Sequence, residues 1–254
     1  GIALAELVRA LNQKFRKVVL LRNVDNFGSL WVETRDLDGY LALEFNYHLL
    51  SKRNRWVKRM LDIFIAVILL VVLSPLLVLV SLLIVLDSPG PVLFWQERLG
   101  RDFLHFRVLK FRTMVVGAEE RLQQLLEADP VARAQYERFH KLENDPRVTK
   151  VGNYLRKYSL DELPQLLNVL KGEMSPVGPR AYLPSELDEI GSYAPIILRV
   201  RPGMTGWWQI FGRHKTTFKH RLQMDEYYIS NWSLWMDIYI LLKTVGVVLG
   251  GEGA

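Results

Sequence analysis

The chain has 254 residues, 50% of them hydrophobic and 24% charged, so it is long enough to bury one large core or two modest ones. Its formal net charge of +6 favours an anionic partner, which could be nucleic acid, a membrane surface or a phosphate-rich substrate. The chain has no cysteine, which excludes thiolate metal sites, thiol nucleophiles and disulfides and leaves oxygen and nitrogen chemistry.

The first segment, residues 1–50, predicts an amphipathic helix, a short strand at Val18–Leu21, a polar loop and apolar stretches around Leu30 and Leu41. We interpret this segment as the tail of an α/β domain without a catalytic signature. The chain opens in the middle of a helical pattern without Met or a cleavable signal, so we expect that residue 1 is not its natural start. Residues 51–59 predict a basic linker.

A run of 26 mostly apolar residues, Leu61–Leu86, follows the linker and is long enough to cross a bilayer. Ser74 and Pro75 interrupt the run at its centre. Proline removes a backbone donor from a helix and bends it, and the Ser74 hydroxyl can bond a carbonyl that the bend leaves free. Membrane-spanning helices also tolerate such kinks, so the pair alone leaves a simple span possible.

Basic residues flank the run on both sides, which favours a re-entrant hairpin over a span. The tendency of basic residues to stay in the cytoplasm would hold both ends on that face. Each half of the run has about 13 residues, or about 20 Å of helix, which is shorter than the hydrocarbon core of about 30 Å. We therefore predict a re-entrant membrane helix at residues 60–87, bent at Ser74 and Pro75. The flanking cations are Lys52, Arg53, Arg55, Lys58 and Arg59 on one side and Arg98, Arg101, Arg107, Lys110 and Arg112 on the other.

The remainder, residues 88–254, predicts short strands, then a charged helical arm, then two amphipathic helices that join near Ser159. Gly/Pro-rich loops follow, and the last segment is aromatic and too polar for a second span. The predicted fold class is α+β and mostly helical, with a re-entrant membrane helix, amphipathic interfacial helices and a small β element around the active site.

The stretch KYSLDELPQLLNVLKGEMSPVGPR, residues 157–180, carries the strongest chemical signal. Ser159 and Glu162 have the spacing of a capping box, which would make the acidic pair structural. Pro164 favours a helix that begins there, which would leave Asp161 and Glu162 just ahead of a helix N-terminus, where phosphate binds. Two adjacent carboxylates can share Mg²⁺, or one can attack phosphorus while the other holds the metal.

Cations stand on the loops around this pair, and arginine and lysine are the side chains that match phosphate. Each could be an ordinary surface cation, but together with the acidic pair and the membrane segment they favour a phosphoryl-transfer site. The predicted phosphate-binding residues are Lys110, Arg112, Arg147, Arg180 and Arg201.

The sequence resembles the bacterial sugar transferases, the monotopic phosphoglycosyl transferases, over residues 58–248. The matching blocks are KRMLDIF, the central SP, SPGPVLFWQERLGR, KFRTM, NDPRVTKVGNYLRKYSLDELPQLLNVLKGEMSPVGPR, RPGMTGWWQIFGR and DEYYISNWSLWMDIYILLKT. The N-terminal segment and the basic linker are most similar to the large, galactose-type branch. This resemblance implies that residues 1–50 are the C-terminal remnant of a Rossmann-like regulatory domain.

The resemblance implies transfer of a hexose 1-phosphate from a UDP-sugar to undecaprenyl phosphate, with UMP released in a ping-pong mechanism. Asp161 would be the nucleophile that holds the sugar phosphate, and Glu162 the partner carboxylate at Mg²⁺. Lys110, Arg180 and Asp225 match other functional positions. The resemblance also implies a homodimer at the bacterial inner membrane with its catalytic domain on the cytoplasmic face. Galactose is the expected sugar because of the similarity to the galactose-type branch, and glucose is the second candidate.

Ala181 stands where the family usually has a second proline after Gly-Pro-Arg, which leaves the nucleotide contacts less defined than the reaction. A catalytically idle scaffold is an alternative that intact Asp161, Glu162 and Lys110 argue against. A nucleic-acid-binding domain is a further alternative, but the tryptophans cluster at residues 207–208 and 232–235, as interfacial anchors would, so no nucleic acid partner is expected.

Overall fold

The computed structural model describes residues 47–139, 145–212 and 216–251, positions 11 and 142, and the strand segments 18–20, 32–37 and 40–45. The described part is mostly helical with small sheets, as the sequence predicts. Its strands are β1 (Val18–Leu20), β2 (Val32–Leu37), β3 (Tyr40–Phe45), β4 (Leu93–Leu99), β5 (His105–Phe111), β6 (Ser175–Val177) and β7 (Gly203–Thr205). Its helices are α1 (Lys52–Asp87), α2 (Ala118–Ala128), α3 (Pro130–Phe139), α4 (Lys150–Lys157), α5 (Gln165–Lys171), α6 (Leu187–Ile190), α7 (Ala194–Ile197), α8 (Trp207–Phe211), α9 (Phe218–Asn231) and α10 (Leu234–Leu249).

The N-terminal strands form an antiparallel sheet in the order β1-β3-β2, with Val18 and Val32 both opposite Phe45. The predicted strand at Val18–Leu21 is therefore confirmed, whereas the predicted helix and the apolar stretch at Leu30 lie mainly outside the described residues. Whether residues 1–50 end a Rossmann-like domain stays a prediction. The other two sheets are the pair β4-β5 and the parallel pair β6-β7.

Helix α1 contains the whole apolar run and also the residues predicted as a basic linker. The Ser51 hydroxyl accepts the Asn54 backbone N–H at 3.2 Å and caps the first turn, so residues 52–59 are helical rather than a separate linker. Among the described residues, α1 is the one helix long and apolar enough to cross a membrane, and only 11% of its most apolar window is buried. Such low burial is not typical of the core helix of a soluble protein.

The Ser74 and Pro75 pair lies within α1, which is one helix from Lys52 to Asp87, and the predicted re-entrant bend at this pair stays a prediction. Proline at position 75 cannot donate to the carbonyl of Val71, four residues earlier. The Ser74 hydroxyl donates to that same carbonyl at 2.8 Å. The side chain thus supplies the donor that proline removes, and the helix continues through the pair.

The described chain divides into two compact units that are discontinuous in sequence. The first unit comprises Gly1–Leu69, Gln96–Val108 and Gln165–Gly246, and the second comprises Leu70–Trp95, Leu109–Pro164 and Val247–Ala254. The predicted division into a regulatory remnant, a linker, a membrane helix and a catalytic domain stays a prediction.

The core of the first unit is formed by apolar side chains from β4, β6, α6, α7, α9 and α10 and from other segments of that unit. Its largest fully buried members include Tyr182, Tyr228, Ile196, Ile229 and Ile240. The GPRA and RPGMTG loops approach each other so closely that a Cβ on Gly203 would lie 2.1 Å from the Gly178 backbone nitrogen. Glycine is required there because the two backbones leave no room for a side chain.

A buried ionic network fixes the beginning of α1 in the first unit. Lys58 Nζ lies 3.3 Å from Asp62 Oδ1 and 2.7 Å from Asp237 Oδ2, and all three residues are buried. Trp232 Nε1 donates to Asp237 at 3.1 Å, and Tyr228 donates to it at 2.7 Å. Trp232 is therefore a buried hydrogen-bond donor, and its interpretation as an interfacial anchor is wrong, whereas Trp235 is 76% exposed.

The core of the second unit joins the end of α1 to the predicted amphipathic helix α4. Val80 and Ile84 of α1 are buried with Phe111 and Leu155, and Leu163 packs against this cluster. Helix α4 is capped by the Thr149 hydroxyl, which accepts the Gly152 N–H at 2.9 Å. A Cβ on Gly152 would lie 2.1 Å from the Thr113 carbonyl oxygen, so this glycine lets α4 contact the KFRTM segment directly.

Candidate active site

Asp161 and Glu162 lie in a short 3₁₀ turn, Leu160–Glu162, just ahead of α5 in the chain. The backbone reverses at Ser159, whose φ of 52° is in the left-handed region. The Ser159 side chain makes no capping hydrogen bond, so the predicted capping box does not form. The Glu162 carboxylate is consequently available to other partners, and the prediction that the acidic pair precedes the helix is confirmed.

Lys110 binds the second carboxylate of the pair. Its Nζ lies 2.7 Å from Glu162 Oε1, and the two side chains are 25% and 33% exposed. Lys110 is carried by β5, and Glu162 lies 52 residues later in the chain. The structure therefore brings together Lys110, Asp161 and Glu162, three of the residues that the sequence predicts for the site.

Asp161 is the most perturbed group of this cluster. Burial and then the charge of Glu162 raise its pKa from 3.8 to about 6, while the charges of Lys110 and Arg156 act in the opposite direction. A hydrogen bond from its own backbone N–H also lowers the pKa, but less than burial and Glu162 raise it. The arrangement supplies a partly desolvated carboxylate that ionises just below neutral pH, next to two cations that attract phosphate.

Arg156 is a site residue that the sequence reasoning missed. Its Nε donates to the Thr113 hydroxyl at 2.9 Å, and burial lowers its pKa while the nearby charge of Asp161 opposes that shift. It lies on α4, five residues before Asp161. The signal available in the sequence was a basic residue on the helix next to the acidic pair.

Arg112 and Arg147, two of the predicted phosphate-binding residues, have other partners in the second unit. Arg112 donates to the Ser88 carbonyl oxygen and to Pro89 O at 3.5 Å, which holds the Pro-Gly-Pro turn. Arg147 forms a bidentate pair with Asp145, at 2.7 Å for the shortest contact, and is 8% exposed. Both have structural explanations, and their contacts to a substrate phosphate stay predictions.

Asp225, the remaining predicted acid, lies in the first unit and is fully buried. Its Oδ2 accepts the Arg180 backbone N–H at 3.1 Å and the Tyr182 hydroxyl at 2.8 Å, whereas its Oδ1 has no partner among the described residues. Burial raises the pKa of Asp225 to about 7 although these hydrogen bonds lower it. An unpaired buried carboxylate oxygen is costly in a protein without a ligand.

Arg180 and Arg221 lie near Trp208 in the same unit, and Trp208 and Arg221 were not predicted. The Arg221 guanidinium is 4.5 Å from the Trp208 ring centre, and that of Arg180 is 5.7 Å from it. Arg180 Nε, Arg221 Nε and Trp208 Nε1 are all buried without a hydrogen-bond partner in the described chain. With Asp225 Oδ1, the group offers three free donors and one free acceptor, as a binding site for an anionic, hydroxylated ligand would.

Arg201, also in the first unit, is held by the end of α5. Its Nε donates to the Gly172 carbonyl at 2.7 Å. Burial and then the charges of Arg101 and Arg59 lower its pKa. It therefore belongs to a crowded group of arginines.

Asp161 and Glu162 are the described residues whose chemistry suits a bound Mg²⁺. The described residues contain no group of three or more His, Asp or Glu side chains that could hold a metal ion. Mg²⁺ is commonly bound through one or two carboxylates with substrate phosphates and water completing its shell. Asp161 and Glu162 are adjacent, and burial and then the charge of Glu162 raise the pKa of Asp161. A cation bound between them would relieve this repulsion, so the pair fits such a site.

Comparison with known proteins agrees with this chemistry. The family described as bacterial sugar transferase matches residues 53–251. A UDP-galactose-lipid carrier transferase from Erwinia amylovora and an undecaprenyl-phosphate galactose phosphotransferase from Salmonella typhimurium are each 44% identical over 214 residues, 84% of this chain and 45% of the relative. A UDP-glucose:undecaprenyl-phosphate glucose-1-phosphate transferase from Escherichia coli is 38% identical over 253 residues, 96% of this chain and 51% of the relative.

The chain spans about half the length of these relatives, and the match includes the acidic turn, its lysine and the arginine and tryptophan group. The chain belongs to the bacterial sugar transferase family.

Proposed function

We propose that this protein transfers a hexose 1-phosphate from a UDP-sugar to undecaprenyl phosphate and releases UMP, as a membrane step of polysaccharide synthesis. The observation that carries the proposal is the cluster in which a desolvated Asp161 lies beside Glu162, with Lys110 2.7 Å from the latter. The functions named for relatives at 44% identity support the same reaction class.

In the first step, an ionised Asp161 oxygen attacks the β-phosphorus of the UDP-sugar. A carboxyl-phosphate bond forms, the bond between the two phosphoryl groups breaks, and UMP leaves with the bonding electrons. In the second step, a phosphate oxygen of undecaprenyl phosphate attacks the same phosphorus and releases the Asp161 carboxylate. The products are UMP and undecaprenyl diphosphate hexose, and atoms balance over the two steps.

The cations near Asp161 offset the repulsion between a carboxylate and a diphosphate. Lys110 and Arg156 stabilise the ionised form of Asp161, and the same charges would attract the incoming phosphate oxygens. Asp161 and Glu162 would hold Mg²⁺, which supplies further neutralisation of the diphosphate when bound. Glu162 would then have two roles, as a ligand and as the partner that orients Lys110.

We propose that Arg180, Arg221, Trp208 and Asp225 of the first unit, which we name the nucleotide group, bind a nucleotide. Its three buried free donors match phosphate or uracil oxygens, and the free Asp225 oxygen matches a hydroxyl or an N–H. The 4.5 Å approach of Arg221 to Trp208 keeps both side chains in place before a ligand arrives. Such preorganisation lowers the entropic cost of binding.

Galactose is the sugar we propose, because two of the relatives at 44% identity carry galactose in their names. Glucose is the second candidate, because the relative from Escherichia coli, 38% identical over nearly the whole chain, is named for glucose.

We also propose that α1 is re-entrant and that both its ends face the cytoplasm at the bacterial inner membrane. Basic residues flank the apolar run on both sides, which favours the same membrane face for both ends. Each half of the run, about 20 Å of helix, is shorter than the hydrocarbon core of about 30 Å. The central Ser74 and Pro75 pair is where α1 would bend.

The decisive experiment follows UMP release from UDP-galactose and UDP-glucose, with Mg²⁺ and undecaprenyl phosphate present. We expect UMP from the native protein and none from Asp161→Asn, whereas the exposed control Asp188→Asn keeps its activity. Without undecaprenyl phosphate, a sugar-labelled donor should leave label on the native protein but not on Asp161→Asn. Absence of UMP from every UDP-sugar would favour the idle scaffold, and full turnover by Asp161→Asn would place the nucleophile elsewhere.

A further inference from the structure

A cleft at the base of α1, in the first unit, is lined mainly by cations. We name it the basal cleft; its lining residues are Leu49, Arg55, Lys58, Asp62, Arg101, Val200 and Arg201. Lys58 is already engaged by Asp62 and Asp237, so it adds little free charge. The three arginines therefore determine what the cleft can bind.

Arg201 of the cleft and the nearby Arg59 are both held by carbonyls at the C-terminus of α5. Arg59 donates to the carbonyls of Val169 and Leu170 at 2.7 and 3.0 Å, and Arg201 donates to that of Gly172 at 2.7 Å. Helix C-termini leave such carbonyls unpaired and attract cations, so helix capping explains these contacts. The same contacts bring the guanidinium groups together, since a Cβ on Gly172 would lie 3.5 Å from Arg59 Nη2 and 4.0 Å from Arg201 Nη2.

Helix capping does not account for Arg55 and Arg101. Arg101 pairs only with its exposed neighbour Asp102, at 2.9 Å, and Arg55 has no acidic partner among the described side chains. Their charges, with that of Arg59, repel Arg201 and contribute to the lowering of its pKa. Crowded like charges destabilise a fold unless an anion binds among them.

Apolar side chains next to these arginines are exposed as they would be at a membrane interface. Trp56 is 66% exposed and follows Arg55, while Phe103 and Leu104 are 46% and 69% exposed and follow Arg101 closely. Arginine paired with aromatic residues at the end of an apolar helix is typical of the headgroup region of a bilayer.

We propose that the basal cleft binds the phosphate group of a membrane lipid through Arg55, Arg101 and the exposed face of Arg201. The arginines offer paired N–H donors that match phosphate oxygens, and the adjacent aromatic residues lie against the acyl chains. The site is distinct from the acidic turn and from the nucleotide group, and it does not depend on the catalytic proposal. A bound lipid would fix the start of α1 at the membrane surface.

The test measures lipid retention by the detergent-solubilised protein with native mass spectrometry. The lipids are dioleoyl phosphatidylglycerol, dioleoyl phosphatidylcholine and undecaprenyl phosphate, with inorganic phosphate as a lipid-free probe. The variant is Arg55→Gln with Arg101→Gln. The matched control is Lys52→Gln with Arg53→Gln, which removes the same charge from exposed positions in the first turn of α1.

We expect one tightly bound anionic lipid per chain, with about tenfold weaker binding in the cleft variant and little change in the control. Loss of phosphatidylglycerol would identify a phospholipid as the ligand, and loss of undecaprenyl phosphate alone would identify the acceptor lipid. Equal loss in the cleft and control variants would overturn the proposal in favour of diffuse electrostatic attraction. Equal retention of phosphatidylcholine, or binding of inorganic phosphate alone, would also overturn it.

Discussion

Replacing Asp161 with Asn should stabilise the folded protein while it removes the nucleophile. Burial and Glu162 raise the pKa of Asp161 from 3.8 to about 6. A shift of roughly two units, at about 1.4 kcal/mol each, corresponds to about 3 kcal/mol. Because the folded state binds this proton more tightly than the unfolded state, the stabilising contribution is complete below 3.8 and is lost as the pH rises through about 6.

The assay is thermal unfolding in a nonionic detergent at about pH 8 and about pH 4 for the native protein and for Asp161→Asn. Asparagine has the shape of aspartate but carries no charge, so the variant avoids the cost of ionising a buried group. With about 2–4 °C per kcal/mol for a chain of this size, the midpoint should rise by as much as about 10 °C at the higher pH. The difference should shrink toward zero at the lower pH.

Asp188→Asn, at an exposed position of α6, serves as the matched control and should unfold like the native protein at both pH values. A destabilised Asp161→Asn at about pH 8 would refute the reasoning, since it would mean that the ionised carboxylate makes favourable contacts that outweigh its burial. A difference independent of pH would refute it as well. Loss of UMP release together with a gain in stability would show that the site retains a costly charge for its chemistry.

Three further predictions concern the acidic turn, the nucleotide group and α1. The ratio kcat/KM should increase with pH through about 6 as Asp161 ionises, and Lys110→Met should move this midpoint upward because it removes a charge that lowers the pKa. Arg221→Gln should raise the KM for the UDP-sugar about tenfold, with a smaller effect on kcat, because it leaves Trp208 without its closest cation. Ser74→Ala with Pro75→Ala restores a backbone donor to helix α1 and should shift it toward a span, which accessibility labelling at positions 52 and 98 would detect.

Two of these predictions have a matched control, and each of the three has an outcome that contradicts it. Lys150→Met, at an exposed position, should leave the pH profile unchanged, and an unshifted midpoint in Lys110→Met would separate Lys110 from Asp161. Arg133→Gln is the exposed control for Arg221, and an unaltered KM would exclude Arg221 from the donor site. Labelling of positions 52 and 98 on opposite membrane faces in the native protein would exclude the hairpin.

Local patterns in the sequence predicted much of the fold. The apolar run, the strands at residues 93–111 and the helical arm depend on composition and periodicity within a few turns, and the structure contains all of them. The hydroxyl of Ser74 was predicted to bond a freed carbonyl, and it bonds Val71 O. Pro164 predicted that the acidic pair lies ahead of a helix. The spacing of Ser159 and Glu162 also allowed a capping box, and only the structure excluded it, because the Ser159 side chain makes no capping hydrogen bond.

The sequence by itself determined the chemical inventory of this protein: adjacent carboxylates, many cations, one apolar helix and no thiol. Only the tertiary structure decided which of these groups meet. Lys110 and Glu162 are 52 residues apart and Lys58 and Asp237 are 179 apart, so no local pattern could pair them. Arg147 looks like Arg180 in sequence, but it is paired with Asp145, whereas Arg180 keeps a free donor next to Trp208. The role of a charged residue depends on its solvation and its partners, and both are fixed by long-range packing.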